Sequence, residues 1–223
     1  MPSTHNALLG ALSRHAHFSE FSEHLNVNGN ILTPAQRRAL ALYNLTDNFA
    51  VQTPSGVLVP GTGISAGVGT VFSSSQIREG NYVRTRNYID LTGLASSTTD
   101  LDIIGVGAGA AYLGQVTAAG HGAPTHITGR MVCIEAPATG VTDIDLYSAT
   151  ENTGVFDGGI AALVETAILT AGGAWTAGLS RPFTAVTAAN QYLYLTCGAA
   201  GVPGTYTAGR FLIEFEGTIF VGT

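Results

Sequence analysis

The chain has 223 residues, enough for one moderate all-β domain with appendages, which buries roughly 70% of its unfolded surface without needing a disulfide or a metal. Only 11% of residues are Asp, Glu, Lys or Arg and the net charge is −6, so the basic stripe that phosphate contacts require is missing and no nucleic-acid partner is expected. So little charge leaves the surface to neutral Thr, Ser and Gly, or to a protein partner.

Residues 1–50 read as an arm. They hold four of the six histidines, His5, His15, His17 and His24. The segment from Met1 to Leu12 lacks the basic start and long apolar run of an export signal. Thr33-Pro34-Ala35-Gln36 predicts a helix start: Thr33 caps the Gln36 amide, Pro34 takes the first helical position, and Gln36 closes the capping box. Ala35, Ala39, Leu42 and Leu45, or Leu40 and Tyr43 one step round, form an apolar stripe with Arg37 and Arg38 off it. Shorter helices are predicted at 6–12 and 20–25. Such pieces are not stable alone, so the arm is expected to dock on a partner, with Arg37, Arg38, Leu42 and Tyr43 as the contact residues.

From residue 51 onward, short strand patterns alternate with turns. Strands are predicted at 57–59, 81–91, 102–106, 112–117, 127–134, 142–148, 191–197 and 210–219. The last is the clearest: Phe211, Ile213 and Phe215 share one face while Glu214 and Glu216 share the other, the two-residue period of a half-buried strand. In 142–147, Asp143 and Asp145 mark an expected wet face and Ile144 and Leu146 an apolar one. Residues 160–170 fit a helical stripe through Ile160, Leu163, Val164, Ala167 and Ile168, and a short helix stays open there. Many short strands spaced by glycine-rich turns predict an all-β, jelly-roll-like β-sandwich over 51–223, preceded by the partly helical arm.

The chemistry-bearing patterns are weak. Gly105-Val106-Gly107-Ala108-Gly109 is followed by strand-like sequence, whereas a dinucleotide fingerprint needs a helix there, so a β–β connection is expected. His17, Glu20 and His24 could share a helical face, but a zinc site needs three or four converging ligands, and a solvated or interfacial arm is the expectation. Asp143, Asp145, Glu151 and Asp157 miss the calcium-loop spacing, with Ser148 where glycine belongs and Gly154 where the bidentate glutamate belongs. His121 and His126 sit in turn-like sequence, and Cys133 and Cys197 sit in apolar runs as expected reduced core thiols. No catalytic residue, cofactor or metal is therefore expected, and no run reaches the roughly 18 apolar residues of a membrane helix. The nine cations are all arginine, whose planar, weakly hydrated fork suits interfacial pairing, although codon bias yields the same composition.

The runs Thr142-Asp143-Ile144-Asp145-Leu146-Tyr147-Ser148-Ala149-Thr150-Glu151, Thr170-Ala171-Gly172-Gly173-Ala174-Trp175, Ala188-Ala189-Asn190-Gln191-Tyr192-Leu193-Tyr194-Leu195-Thr196 and Tyr206-Thr207-Ala208-Gly209-Arg210-Phe211-Leu212-Ile213-Glu214 resemble structural proteins of tailed bacteriophages, especially those of cyanobacteria and other aquatic bacteria. The likeness spans about residues 89–217 and carries no active-site motif. It implies a capsid decoration (cement) protein on the virion exterior, made in the host cytoplasm. It further implies the major capsid protein as partner and self-association, as a homotrimer in preference to a homodimer. A head-fibre or tail component with a glycan-binding tip is the alternative, with Trp175, Tyr192, Tyr194 and Tyr206 as its aromatic platform. The uncharged stretch 103–129 is the expected self-association surface, or else a core strand pair.

Overall fold

A computed structural model describes residues 56–123 and 127–219, together with two short strands nearer the start. The chain divides into two compact units, Met1–Thr53 and Pro54–Thr223. In the first, β1 (Asn26–Val27) and β2 (Asn30–Ile31) pair antiparallel, with Val27 opposite Asn30. The dipeptide between them is Asn28-Gly29, the pair that two-residue hairpin connections favour. The helix expected from Thr33, with Arg37, Arg38, Leu42 and Tyr43, lies outside the described residues, as do the expected helices at 6–12 and 20–25 and the histidines of the arm.

The second unit is built from β3 (Val71–Glu79), β4 (Tyr82–Asp90), β5 (Ala95–Ser96), β6 (Tyr112–Val116), β7 (Thr128–Ala138), β8 (Ile144–Ala149), β9 (Glu165–Leu169), β10 (Ser180–Pro182), β11 (Gln191–Cys197), β12 (Gly204–Thr205) and β13 (Ala208–Thr218). Two one-turn helices, α1 (Thr62–Ser65) and α2 (Ala118–His121), sit in connections. The larger sheet has the order β10-β7-β13-β4-β3 and the smaller β6-β11-β8-β9, with β12 and β5 forming a separate pair. All the strand pairs are antiparallel.

The pairings nest. The early strand β4 meets the last, β13; β6 meets β11, β7 meets β10, and β8 meets β9. This is one long antiparallel hairpin rolled so that β13 also meets β7 and β11 also meets β8. The protein is a jelly-roll β-sandwich, with β3 added as a fifth strand beside β4. Rolling a hairpin buries one face of each half, which the two-residue alternation of Phe211, Ile213 and Phe215 in β13 supplies. Their partners in the continuous core include Ile89, Met131, Leu113, Leu146, Leu193 and Leu195.

Three expectations change and two open readings resolve. The stretch 102–106 forms single bridges and no strand, and 57–59 runs outside any ladder with Leu58 buried and Val59 exposed. The helical stripe at 160–170 does not form: a single 3-10 turn at Ile160–Ala162 leads into β9, because Ile168 and Leu169 find core positions in a strand. Within 103–129, Ile103, Ile104, Ala111, Leu113, Val116, Ala123 and Ile127 are buried, which favours the core reading of this stretch. The supposed wet face of 142–147 is partly inside: Asp143 is half-buried, while Asp145 is 4% exposed and its carboxylate accepts the Ala171 amide at 2.5 Å.

Candidate protein-contact face

The outer face of the five-stranded sheet gathers most of the described arginines. Strand register sets its rows. Ser75, Arg86, Glu214, Arg130 and Pro182 lie side by side, one from each strand. The next row is Ser73, Tyr88, Leu212, Val132 and Ser180. On either side of these two, Ile77 leads to Arg84, Glu216 and Thr128, and Val71 leads to Asp90, Arg210 and Glu135. Period-two alternation forces this arrangement, since the other side of each strand is committed to the core.

Each charged row is paired. Glu214 Oε1 accepts from Arg86 Nε at 2.6 Å, and Glu214 Oε2 accepts from Arg130 Nη2 at 2.7 Å and Arg130 Nε at 2.9 Å. Arg84 Nε donates to Glu216 Oε1 at 2.7 Å. Arg210 Nε lies 2.9 Å from Asp90 Oδ2 and 3.2 Å from Glu135 Oε2. Partial burial opposes ionisation of Glu214, but the bonds from Arg130 and Arg86 outweigh it and hold its carboxyl below the usual glutamate range. Asp90 behaves likewise: burial disfavours its charge, and Thr92 and Arg210 more than restore it. The Tyr82 hydroxyl and then Arg84 lower Glu216.

Four arginines thus face four carboxylates, giving a charge-balanced ladder. The arginine side chains remain 40–57% exposed, so water screens these pairs and they contribute little to the stability of the fold. Their larger effect is to hold planar forks in place around the Tyr88–Leu212–Val132 row. Arginine, tyrosine and apolar side chains share this outer face, and arginine and tyrosine are enriched at protein interfaces. The arginine-only composition hinted at such pairing, but the face needed strand register to assemble it.

The other groups singled out from sequence are committed inside the fold. Trp175 is 2% exposed, donates Nε1–H to the Ile144 carbonyl at 2.8 Å and meets Phe211 edge-on. Tyr194 and Tyr206 are also buried, their hydroxyls bonded to the carbonyls of Glu151 and Val141, so three of the four aromatics proposed as a sugar platform are core residues. The fourth, Tyr192, stacks at a tilt on Tyr112. Cys133 and Cys197 are free, buried thiols, and desolvation pushes Cys197 up to about 11. His121 is buried in α2: its Nδ1 accepts the Thr117 amide at 2.9 Å and its Nε2–H donates to the Gly56 carbonyl at 2.8 Å. Desolvation lowers its pKa, which favours the neutral ring with the proton on Nε2. Gly105–Gly109 is a connection, as expected, leading into β6.

Asp143 and Asp145 form the most unusual polar pair. Both Oδ1 atoms lie 2.8 Å from the point where a β-carbon on Gly198 would stand, so glycine makes room for them. Desolvation raises both carboxyls above the usual aspartate range; Asp143 and Asp100 add to the effect on Asp145. Asp143 Oδ1 is buried without a hydrogen-bond partner. Among the described residues, no three His, Cys, Asp or Glu side chains converge as metal ligands would. Comparison with protein-family models, with curated proteins and with solved structures gave no match.

Proposed function

We propose that this chain is a non-enzymatic virion structural protein, a capsid decoration (cement) protein that binds and stabilises the assembled major capsid shell. The observation that carries this reading is the outer face of the five-stranded sheet, where arginine forks paired with carboxylates flank Tyr88, Leu212 and Val132. Such a face suits contact with another folded protein. The resemblance of 142–151, 170–175, 188–196 and 206–214 to tailed-phage structural proteins supplies the partner: the shell.

A cement protein works by mass action. It binds the assembled lattice and not the free subunit, so its binding free energy adds to shell stability. In this reading the sheet face is one contact and the N-terminal arm, through Arg37, Arg38, Leu42 and Tyr43, is a second. Two tethered contacts raise avidity through effective concentration without either being strong. The glycan-binding alternative loses support from the burial of Trp175, Tyr194 and Tyr206.

The test is co-sedimentation of the purified chain with capsids stripped of accessory proteins, paired with thermal disruption of those capsids. Saturable binding and a higher disruption temperature are expected. Absence of saturable binding, or binding to host polysaccharide in its place, would overturn the assignment.

A further inference from the structure

The arginines and carboxylates on the outer face of the five-stranded sheet are not matched row by row. The row Ile77, Arg84, Glu216 and Thr128 sets one arginine against one carboxylate. The row Val71, Asp90, Arg210 and Glu135 sets one arginine against two. The row Ser75, Arg86, Glu214, Arg130 and Pro182 reverses this, with two arginines on one glutamate and neutral residues at both ends. One row thus carries an excess positive charge, and strand register places it across β4, β13 and β7.

Arg86 and Arg130 reach Glu214 from the strands on either side of β13, whose backbones lie roughly 10 Å apart. The Glu214 side chain is only 9% exposed, against 45% for Arg86 and 57% for Arg130, so whatever approaches this row meets guanidinium first. A guanidinium carries its N–H donors in one plane. Arg86 uses Nε on Glu214, and Arg130 uses Nε and Nη2. Among the described residues, no other group takes a hydrogen bond from either side chain. A fork bonded through its Nε side keeps its far edge for a second acceptor. Beside the row, Tyr88, Leu212 and Val132 are half-buried, and this shelf excludes part of the water that would weaken a charged contact.

We propose that Arg86 and Arg130 form a clamp for the carboxylate of an Asp or Glu side chain on the protein that this face contacts. The inference deepens the reading of the face as a protein contact and rests on it. Glu214 is the positioning residue: it holds both forks in place, so that a second carboxylate lying over them accepts from each. One excess positive charge matches a singly charged carboxylate, and a planar fork matches its two oxygens. Arg210 offers no such site, because Asp90 and Glu135 beside it repel a further anion. Arg84 is already matched by Glu216. The net charge of −6 opposes an acidic partner at long range, but charges beyond about 8 Å are screened at physiological salt, so the local excess decides.

The test has two arms. In the first, the arginine side-chain N–H signals of the full chain are followed by NMR during titration with tetraglutamate, with tetraglutamine and with inorganic phosphate. Tetraglutamate should shift the Nε–H signals of Arg86 and Arg130 along one saturation curve and leave those of Arg181 and Arg210 in place. Tetraglutamine should shift none of them, and phosphate should act only at higher concentration. In Arg86→Gln the row has no excess charge, and the affinity that Arg130 reports for tetraglutamate should fall at least about tenfold. In the second arm, co-sedimentation with stripped capsids, Arg86→Gln should weaken saturable binding by at least about tenfold. Arg86 and Arg130 unmoved by tetraglutamate, all arginines moving alike, a tighter response to phosphate, or shell binding unchanged in Arg86→Gln would each overturn the clamp. The expected NMR response from a chain that binds no shell would uphold the clamp and overturn only the capsid as its partner.

Discussion

Asp145 holds a carboxylate where the fold offers little water. It is 4% exposed, accepts one backbone amide, and lies near Asp143 and Asp100. Its pKa is raised in the folded state, so the native protein binds more protons than the unfolded chain above the ordinary aspartate value of 3.8. Stability therefore falls as pH rises from that value through the folded pKa, and the penalty is complete once the pH has passed it. Asp145→Asn keeps an oxygen for the Ala171 amide and removes the charge. It should raise the melting temperature by about 2–4 °C at pH 7, corresponding to about 1 kcal/mol, with the gain vanishing near pH 3. Circular-dichroism melts at the two pH values decide it; an unchanged or lower melting temperature at pH 7 would show that the charge is used. The alternation of aspartates with Ile144 and Leu146 is plain in the sequence, and it does suggest two faces. What it lacks is the segment around Ala171, which covers the second face from 26 residues away.

At the scale of elements, the legible strands are those with strong alternation or β-branched and aromatic runs. The predicted 191–197 coincides with β11, and 81–91 and 210–219 differ from β4 and β13 by a residue or two. Strand β3 escapes sequence reading because Ser73-Ser74-Ser75 hides its period: an edge strand with one solvated face needs few apolar residues. The stretch 102–106 misleads in the opposite way, since Ile103 and Ile104 are core residues anchored by isolated bridges. Hydrophobicity reports burial and says little about ladders. Close approach between elements is equally silent in sequence. Gly217 in β13 lies so near α2 that a β-carbon there would stand 1.9 Å from the His121 carbonyl oxygen. Gly217→Ala must push α2 away and disturb the bonds of His121 to Thr117 and Gly56. A loss of about 1–3 kcal/mol is expected in urea unfolding, and a change below about 0.5 kcal/mol would show that the contact relaxes freely.

For the whole molecule, the division at Thr53 and Pro54 implies that the second unit carries its own core. Residues 54–223 expressed alone should unfold in one cooperative transition and bind stripped capsids more weakly than the full chain, because the arm contact is gone. Equal binding would remove the arm from the proposed function; a failure to fold would place the division elsewhere. What the sequence determined by itself was the class: an all-β sandwich of many short strands, with two cysteines in apolar core runs. Alternation and composition are local quantities, and they suffice for that. The jelly-roll sandwich expected from the sequence is the fold found; only the tertiary structure decided which strands pair in it, that Trp175, Tyr194 and Tyr206 lie inside, and that four arginines and their carboxylate partners share one face. Those outcomes depend on which distant strands pair and in what register. A one-residue slip of β13 against β4 would send Glu214 into the core and Phe215 into water, and nothing within a single strand states where its neighbour begins.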